Sequence, residues 1–452
     1  MVVWLGVAAA AEVSHAAERA ADNDSRNLLT WMDQTLDQLG TPLSFADGHL
    51  TVNTGGEFRY RLELRDDFTF NDSSYEDDAI HLLRTRLHVD VSAGPHVRAF
   101  VQGQDAESVA SSGLNRTNGF IDRLDLRQLF VELTSPMGAF PATFKVGRQE
   151  LVYGEQRFVG AFDWSNVTRV FDAVKASWTP TTWAQIDGWF SQVVLIDRVR
   201  PDSADHGDDF YGLYTSLKPL KNHVLDTFLF IRHDRDNELR GEIASHRGQL
   251  KEYTLGNRFR GKRANVDYGL EWAWQFGSRA HEDIAAWAWH NELGYTFADI
   301  PWSPRIGMEY NHGSGDDNTS DGQVSNFDNL FPTNHLHYGY IDFASLRNLD
   351  HLEANLTVKP TKPFTLIGKY HGFFLDTNKS AWFNAGQSVI RTAGVSASQT
   401  LGQEVDLLAK CQVSQHVDTV MGYAHFHAGA FVRDTGPSDD ANFFYWQTTV
   451  KF

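Results

Sequence analysis

The chain has 452 residues, of which 42% are hydrophobic, 13% aromatic and 22% charged, and its formal net charge is −18. That acidity argues against nucleic acid as the default partner, because phosphate binding needs a basic footprint. A single cysteine, Cys411, excludes an intrachain disulfide and paired-thiol chemistry.

Residues 1–17 read MVVWLGVAAAAEVSHAA, an apolar stretch followed by small residues at a cleavage-like position. It lacks a basic leading segment, so the expectation is a truncated secretion signal. Residues 18–48 hold a short amphipathic helix and a linker: Leu28, Leu29, Met32, Leu36 and Leu39 recur at helical spacing, with Ser25 as a candidate cap. Packing on the end of a larger fold is the expected role.

From residue 49 to 452 the pattern changes to period two. Glu57, Arg59, Arg61, Glu63 and Arg65 share one face of EFRYRLELR, with Phe58, Tyr60, Leu62 and Leu64 on the other. Arg84, Arg86, His88 and Asp90 oppose Thr85, Leu87, Val89 and Val91. His351 to Lys359 and Glu404 to Gln412 repeat the scheme. Alternation alone also fits a soluble half-buried sheet. Its extent, with no run of about 18 apolar residues to form a spanning helix, points to a closed transmembrane β-barrel with an apolar lipid face and a charged lumen. At roughly 22 residues per strand and half its connections, the span gives an all-β antiparallel barrel of about 18 strands. Thirteen Trp and 31 Phe suit aromatic girdles.

Polar stretches at 66–79, 104–122, 197–209, 233–248, 311–335, 376–392 and 433–442 are expected as extracellular loops. Short turns such as Ala93-Gly94-Pro95 are expected on the periplasmic side. The last strand, 444–452, alternates and ends in Phe452, resembling the insertion signal of bacterial outer-membrane barrels.

Val146-Gly147-Arg148-Gln149-Glu150-Leu151, then Gly154, Arg157, Gly160, Trp164, Asn166 and Arg169-Val170-Phe171-Asp172-Ala173-Val174, resemble the alginate export family of outer-membrane porins. FDNLFPTNHLHYGYIDF at 327–343 and LRQLFVEL at 126–133 carry the same resemblance. It implies a monomeric barrel of 18 strands in the outer membrane of a Gram-negative-type bacterium, with a narrow arginine-rich pore. Arg127 and Arg148 are the best-matched constriction residues, joined by Arg84 or Arg86 and by Arg59 or Arg61. Gln128 stands where the alginate exporter has Glu.

Guanidinium stays charged and matches a carboxylate bidentately, so a ring of arginines concentrates anions. On that logic Arg157 and Arg169 are also candidate pore-lining residues. The bland alternative is that Glu57, Glu63, Asp90 and Glu132 pair with lumen cations and brace the wall. Arg127 shares its face with Leu129 and Val131, and a bulge or a register change near it would turn it inward. Asp317 to Asp328 faintly resembles a calcium loop, but Thr319 and Asp328 fall at poor positions for one. No cofactor is expected beyond such loop-bound calcium. His335/His337 and His425/His427 lack a third ligand at fixed spacing and are not expected to bind metal. No GxSxG or other nucleophile motif appears, so no enzyme is expected.

The expected function is therefore an anion-selective channel for alginate-like polysaccharide or small anionic solutes. Its partners would be outer-membrane lipid and a periplasmic export protein. A general diffusion porin, or a barrel enzyme or surface adhesin, are the alternatives.

Overall fold

The computed structural model describes residues 24–72, 78–110, 119–137, 140–243, 245–392 and 394–452. The expected signal at 1–17 lies outside these residues. Eighteen antiparallel strands form one closed barrel. They are β1 Leu50–Asp66, β2 Asp78–Ala93, β3 Val97–Ala110, β4 Asp122–Met137, β5 Phe140–Gln149 and β6 Phe171–Thr181. Next come β7 Ala184–Leu195, β8 Ser203–Leu217, β9 His223–Arg240, β10 Arg247–Arg263, β11 Val266–Arg279 and β12 Glu282–Thr296. The last are β13 Arg305–Gly313, β14 Leu349–Thr361, β15 Phe364–Phe374, β16 Thr400–Gln412, β17 Val417–Ala428 and β18 Ala441–Lys451. Closure is made by β1, which pairs with both β2 and β18, and Phe452 donates its N–H to the Gly56 carbonyl at 3.1 Å.

The period-two reading holds for β1, β2, β14 and β16. Leu352, Val405 and Leu407 stand 41–54% exposed on the outer wall, while their polar neighbours His351, Glu404 and Asp406 are completely enclosed. Outward aromatics gather toward the strand ends, Trp178, Trp183, Tyr295 and Trp302 at one and Trp274, Phe276 and Trp287 toward the other. This is the pattern that interfacial anchoring produces. The end bearing short turns also carries the termini of the barrel, and is by the same rule periplasmic.

Two segments expected as loops are largely strand. β8 begins within 197–209, and β9 and β10 cover most of 233–248, because their polar residues pair across neighbouring strands: Arg232 meets Asp208 at 2.8 Å and Arg235 meets Asp209 at 3.3 Å. Conversely, the strand-like sequence after Gln149 leaves the wall. Residues 150–170 fold into the lumen, as do 325–348, whereas 317–321 are exposed and Gln323–Val324 pair with β12 at Asp283 and Ile284. The inward segments pack Leu151, Phe158, Phe327 and Leu330 against inward Phe228 and Phe230. The barrel thus encloses a dry core, each buried phenylalanine contributing about 1.5–3 kcal/mol. Gly147 permits the close approach of β5 to β4: its φ is 124°, and a Cβ there would lie 2.2 Å from the Leu129 carbonyl oxygen.

A helix α1, Asp24–Leu39, sits at the turn end. Ser414 Oγ donates to Asp33 at 2.6 Å, and Gln415 and His416 reach Asp37 at 3.0 Å. These exposed contacts are each worth no more than about 1 kcal/mol. Deleting residues 24–39 is therefore expected to leave the barrel's heat-modifiable electrophoretic mobility and strand circular dichroism unchanged; loss of either would make α1 part of the folding core.

Candidate functional site: a plugged lumen above a basic vestibule

Irregular backbone inside a barrel needs partners for its carbonyls. Here arginines supply them. Arg59 donates from Nη1 to the Asp163 carbonyl at 2.7 Å and from Nη2 to the Ser165 carbonyl at 2.9 Å. Arg61 donates to the Trp164 carbonyl at 2.7 Å, and its guanidinium lies 3.7 Å from the centre of the Trp164 ring, whose other face stacks on His335. Arg84 reaches the Ser165 carbonyl at 3.2 Å and pairs with Glu57 at 2.5 Å. Arg86 meets the Asp163 carboxylate at 3.0 Å and donates to Thr168 Oγ1 at 2.8 Å. Arg59, Arg61, Arg84 and Arg86 are each at most 6% exposed.

Arg127 joins them because β4 slips by one residue against β3: Gln102 stands opposite Gln128, but Gly103 stands opposite Leu126. The bulge turns Arg127 inward, where it donates to Thr168 Oγ1 at 2.8 Å, to Gln102 at 2.6 Å and to Glu150. Arg148 departs from the expectation of a constriction residue. It lies opposite Leu129 and follows outward Phe144 and Val146 in the strand period, so it faces away from the lumen. There it pairs with Asp172 at 2.9 Å and donates to the Asp202 carbonyl at 3.0 Å.

Arg157 and Arg169 lie on the plug itself, not on strands. Arg157 contacts His290 Nε2 at 2.9 Å and Glu271 at 3.4 Å. Arg169 donates to the Gly160 and Pro332 carbonyls at 2.9 and 3.0 Å, tying the two inward loops together. Val159 and Phe331 add a parallel β-bridge between the same loops. Burial, aided by Arg232, lowers Arg169 to about 10, which leaves it charged at neutral pH.

The expected wall-bracing carboxylates are all engaged: Glu63 with Arg61 at 2.7 Å, Asp90 with Arg98 at 2.9 Å, Glu132 with Lys145 at 3.2 Å, and Glu57 as above. His335 pairs with Asp342 at 3.0 Å and His337 meets the Glu155 carbonyl at 2.8 Å, through a 3₁₀ turn that separates their rings. His425 and His427 are outward and meet Asn442 and Asp440. Asp328 is turned inward onto Arg232 at 2.9 Å, away from the rest of the calcium-like segment.

Below the plug, on the turn side, the lumen opens. One cavity of about 650 Å³ is lined by Arg260, Lys262, Asp267, Glu292, Arg305 and Lys359, among others. A second, of about 380 Å³, lies under Tyr153 and Gly154 and is bordered by Lys175, Asp187, Lys218, Asp226 and Arg258. Every carboxylate lining the two is paired: Asp267 with Arg305 at 2.5 Å, Glu292 with Arg260 at 3.9 Å, Glu309 with Arg157 at 3.7 Å, Asp187 with Lys175 at 2.9 Å and Asp226 with Arg258 at 2.6 Å. Lys218, Lys262 and Lys359 are exposed and hold no ion pair among the described residues. Of these, period two placed only Lys359 on a polar face, and none of the three was among the candidate pore-lining residues. Their only signal was position, inward and two to four residues from a short turn.

A closed outer-membrane barrel with a loop-narrowed lumen is a channel. The chain belongs to the Alginate export family, whose model matches residues 50–445. No curated protein matches it. Among solved structures it is similar to Pseudomonas aeruginosa OccD3 (OpdP), at 11% identity and a TM-score of 0.58 over 92% of this chain and 93% of that one. It is also similar to OccK11 (OpdR), at 11% identity and 0.57 over 89% and 96%, and to OpdK with vanillate, at 10% and 0.57 over 89% and 98%, both from the same organism. These likenesses establish the fold. The family and barrel together assign the chain to the Gram-negative outer membrane.

Arg59→Ala/Arg84→Ala removes charged hydrogen bonds to the plug worth about 1.5–3 kcal/mol each. Purified channels of this variant are expected to show higher single-channel conductance and new protease cleavage within 150–170, whereas unchanged values would mean that the apolar contacts alone hold the plug. Desolvation pushes the Asp163 carboxyl up, though its side chain is 60% exposed, and Arg84, Arg86 and Arg59 outweigh it and hold the group well below the usual carboxylate range. Its stabilisation is therefore present above the ordinary carboxylate pKa and lost only as pH falls through the depressed value. Asp163→Asn is expected to loosen the plug at neutral pH, with the difference from wild type vanishing only in strong acid.

Proposed function

We propose that the protein is a passive, monomeric channel that draws anionic solutes, in particular uronate oligomers or polymers, from the periplasm. The observation that carries this reading is the charge state of the vestibule. Its carboxylates are neutralised by neighbouring cations, while Lys218, Lys262 and Lys359 remain free to meet an anion. Exposed cations in a low-dielectric funnel raise the local concentration of anions and hasten their capture. The buried arginines have a different task here. They hold the plug, and so set how wide the passage is and when it opens.

Family membership supports the polyuronate class, and the mouth on the turn side supports capture from the periplasm. No nucleotide-binding motif is present, so movement would follow a concentration gradient or a periplasmic partner. A second reading, diffusion of small carboxylates, draws support from the plug, which narrows the lumen, and from OpdK having been solved with vanillate.

The test is the reversal potential in a planar bilayer under a KCl gradient, with oligouronate added to one side at a time. Wild type is expected to prefer anions and to be blocked more strongly from the turn side. Lys262→Glu/Lys359→Glu should weaken both effects. Anion preference without oligouronate block would favour the small-carboxylate reading, and absence of selectivity in wild type would leave a general porin.

A further inference from the structure

We propose that Asp122, Asp125 and Asp202 form a calcium-binding site at the loop-side rim, joining the start of β4 to the segment that leads into β8. The three carboxylates each bring an oxygen within 4.8 Å of the others'. Two oxygens bound to one calcium ion at about 2.4 Å stand no more than about 4.8 Å apart, so the trio can share an ion with little movement.

The local backbone assembles the cluster. Strand β4 slips against β3 between Gln104 and Ala106, where Leu124 adopts a φ of 47°, and the compressed stretch puts Asp122 and Asp125 on one side. Asp202 is brought in from 77 residues away by its own N–H, which donates to Asp125 Oδ2 at 2.6 Å. Asp125 Oδ1 accepts from Leu126 N–H at 2.5 Å, and Asp202 Oδ1 accepts from Asp197 N–H at 2.8 Å.

Asp122 is the decisive member. It is only 3% exposed. Its Oδ2 accepts a long 3.4 Å bond from Gln104 Nε2, and its Oδ1 has no partner. A buried, unpartnered carboxylate oxygen beside two further carboxylates is costly without a cation. No basic side chain pairs with any of the three carboxylates among the described residues. Arg148 lies nearby, but it pairs with Asp172 and donates to the Leu126 and Asp202 carbonyls, so it orients the site's backbone instead. Calcium fits better than zinc because the donors are all hard oxygens and the rim leaves room for water and carbonyl ligands. Such an ion would pin the start of β4 to the segment before β8, beside the channel mouth.

The experiment uses the full chain, refolded free of lipopolysaccharide and stripped with EDTA, and measures ⁴⁵Ca²⁺ by equilibrium dialysis. Wild type is expected to bind calcium saturably. Asp122→Asn and Asp202→Asn should each weaken that binding about tenfold or more, since affinity follows the charge of the ligand set. Retained heat-modifiable mobility reports an intact barrel, and Asp202→Asn, outside the strands, preserves the test if Asp122→Asn fails to fold. No binding by wild type, as expected if the cluster holds a proton instead, would overturn the proposal. So would binding that neither substitution weakens.

Discussion

The structure depends on one constraint: backbone that leaves the sheet and enters the barrel must still have its carbonyl groups satisfied. A strand meets this through its neighbours, but in the 160–169 segment the backbone does so for only part of the chain: Ala161 and Phe162 accept from Arg169 and Ser165, and Gly160 donates to the Phe331 carbonyl. Arg59, Arg61 and Arg84 reach in from the wall to the Asp163, Trp164 and Ser165 carbonyls, and Arg169 returns the favour from the plug to Gly160 and Pro332. Guanidinium suits this task because its forked donors stay charged under burial and can serve two acceptors at once. A lysine would provide a point charge without that geometry. The plug is thus a set of carbonyls held by charge on one wall, backed by phenylalanines on the opposite one.

This arrangement changes what the arginines mean for transport. An arginine that donates to carbonyls and to Asp163 or Glu57 presents little free charge to a passing solute. The cations that do are lysines near the short turns, where an apolar loop does not cover them and the local carboxylates are already engaged. The arginines that hold the plug and the exposed lysines thus lie at different heights in the lumen and can be perturbed separately.

Much of this was legible in the sequence. The face of β1 carrying Arg59 and Arg61, and that of β2 carrying Arg84 and Arg86, followed from period two alone, because a one-residue slip would put charge into lipid. The need for a bulge or a register change near Arg127 was also visible as a break in that period. Arg148 was misplaced because it lies at the end of β5, above the apolar band, where an outward charge can pair with Asp172 without meeting hydrocarbon; near a strand's end, burial no longer enforces parity. The plug itself was not readable. Leu151, Tyr153, Phe158 and Arg157 alternate much as a strand does, and nothing local says that their partners are Phe228, Phe230 and His290, roughly a hundred residues further along the chain.

The net charge of −18 misleads in the same way, since it sums surfaces that a solute never meets together. Acidic residues crowd the loop-side rim, as in Asp122, Asp125, Asp197 and Asp202 beside β4 and β8. The turn-side mouth keeps Lys218, Lys262 and Lys359 exposed and outside any ion pair among the described residues. A barrel separates these populations by roughly the thickness of the hydrocarbon core, about 25–30 Å, several times the distance over which salt screens charge. Each mouth therefore acts on ions through its own residues. The periplasmic mouth is basic although the chain as a whole is acidic.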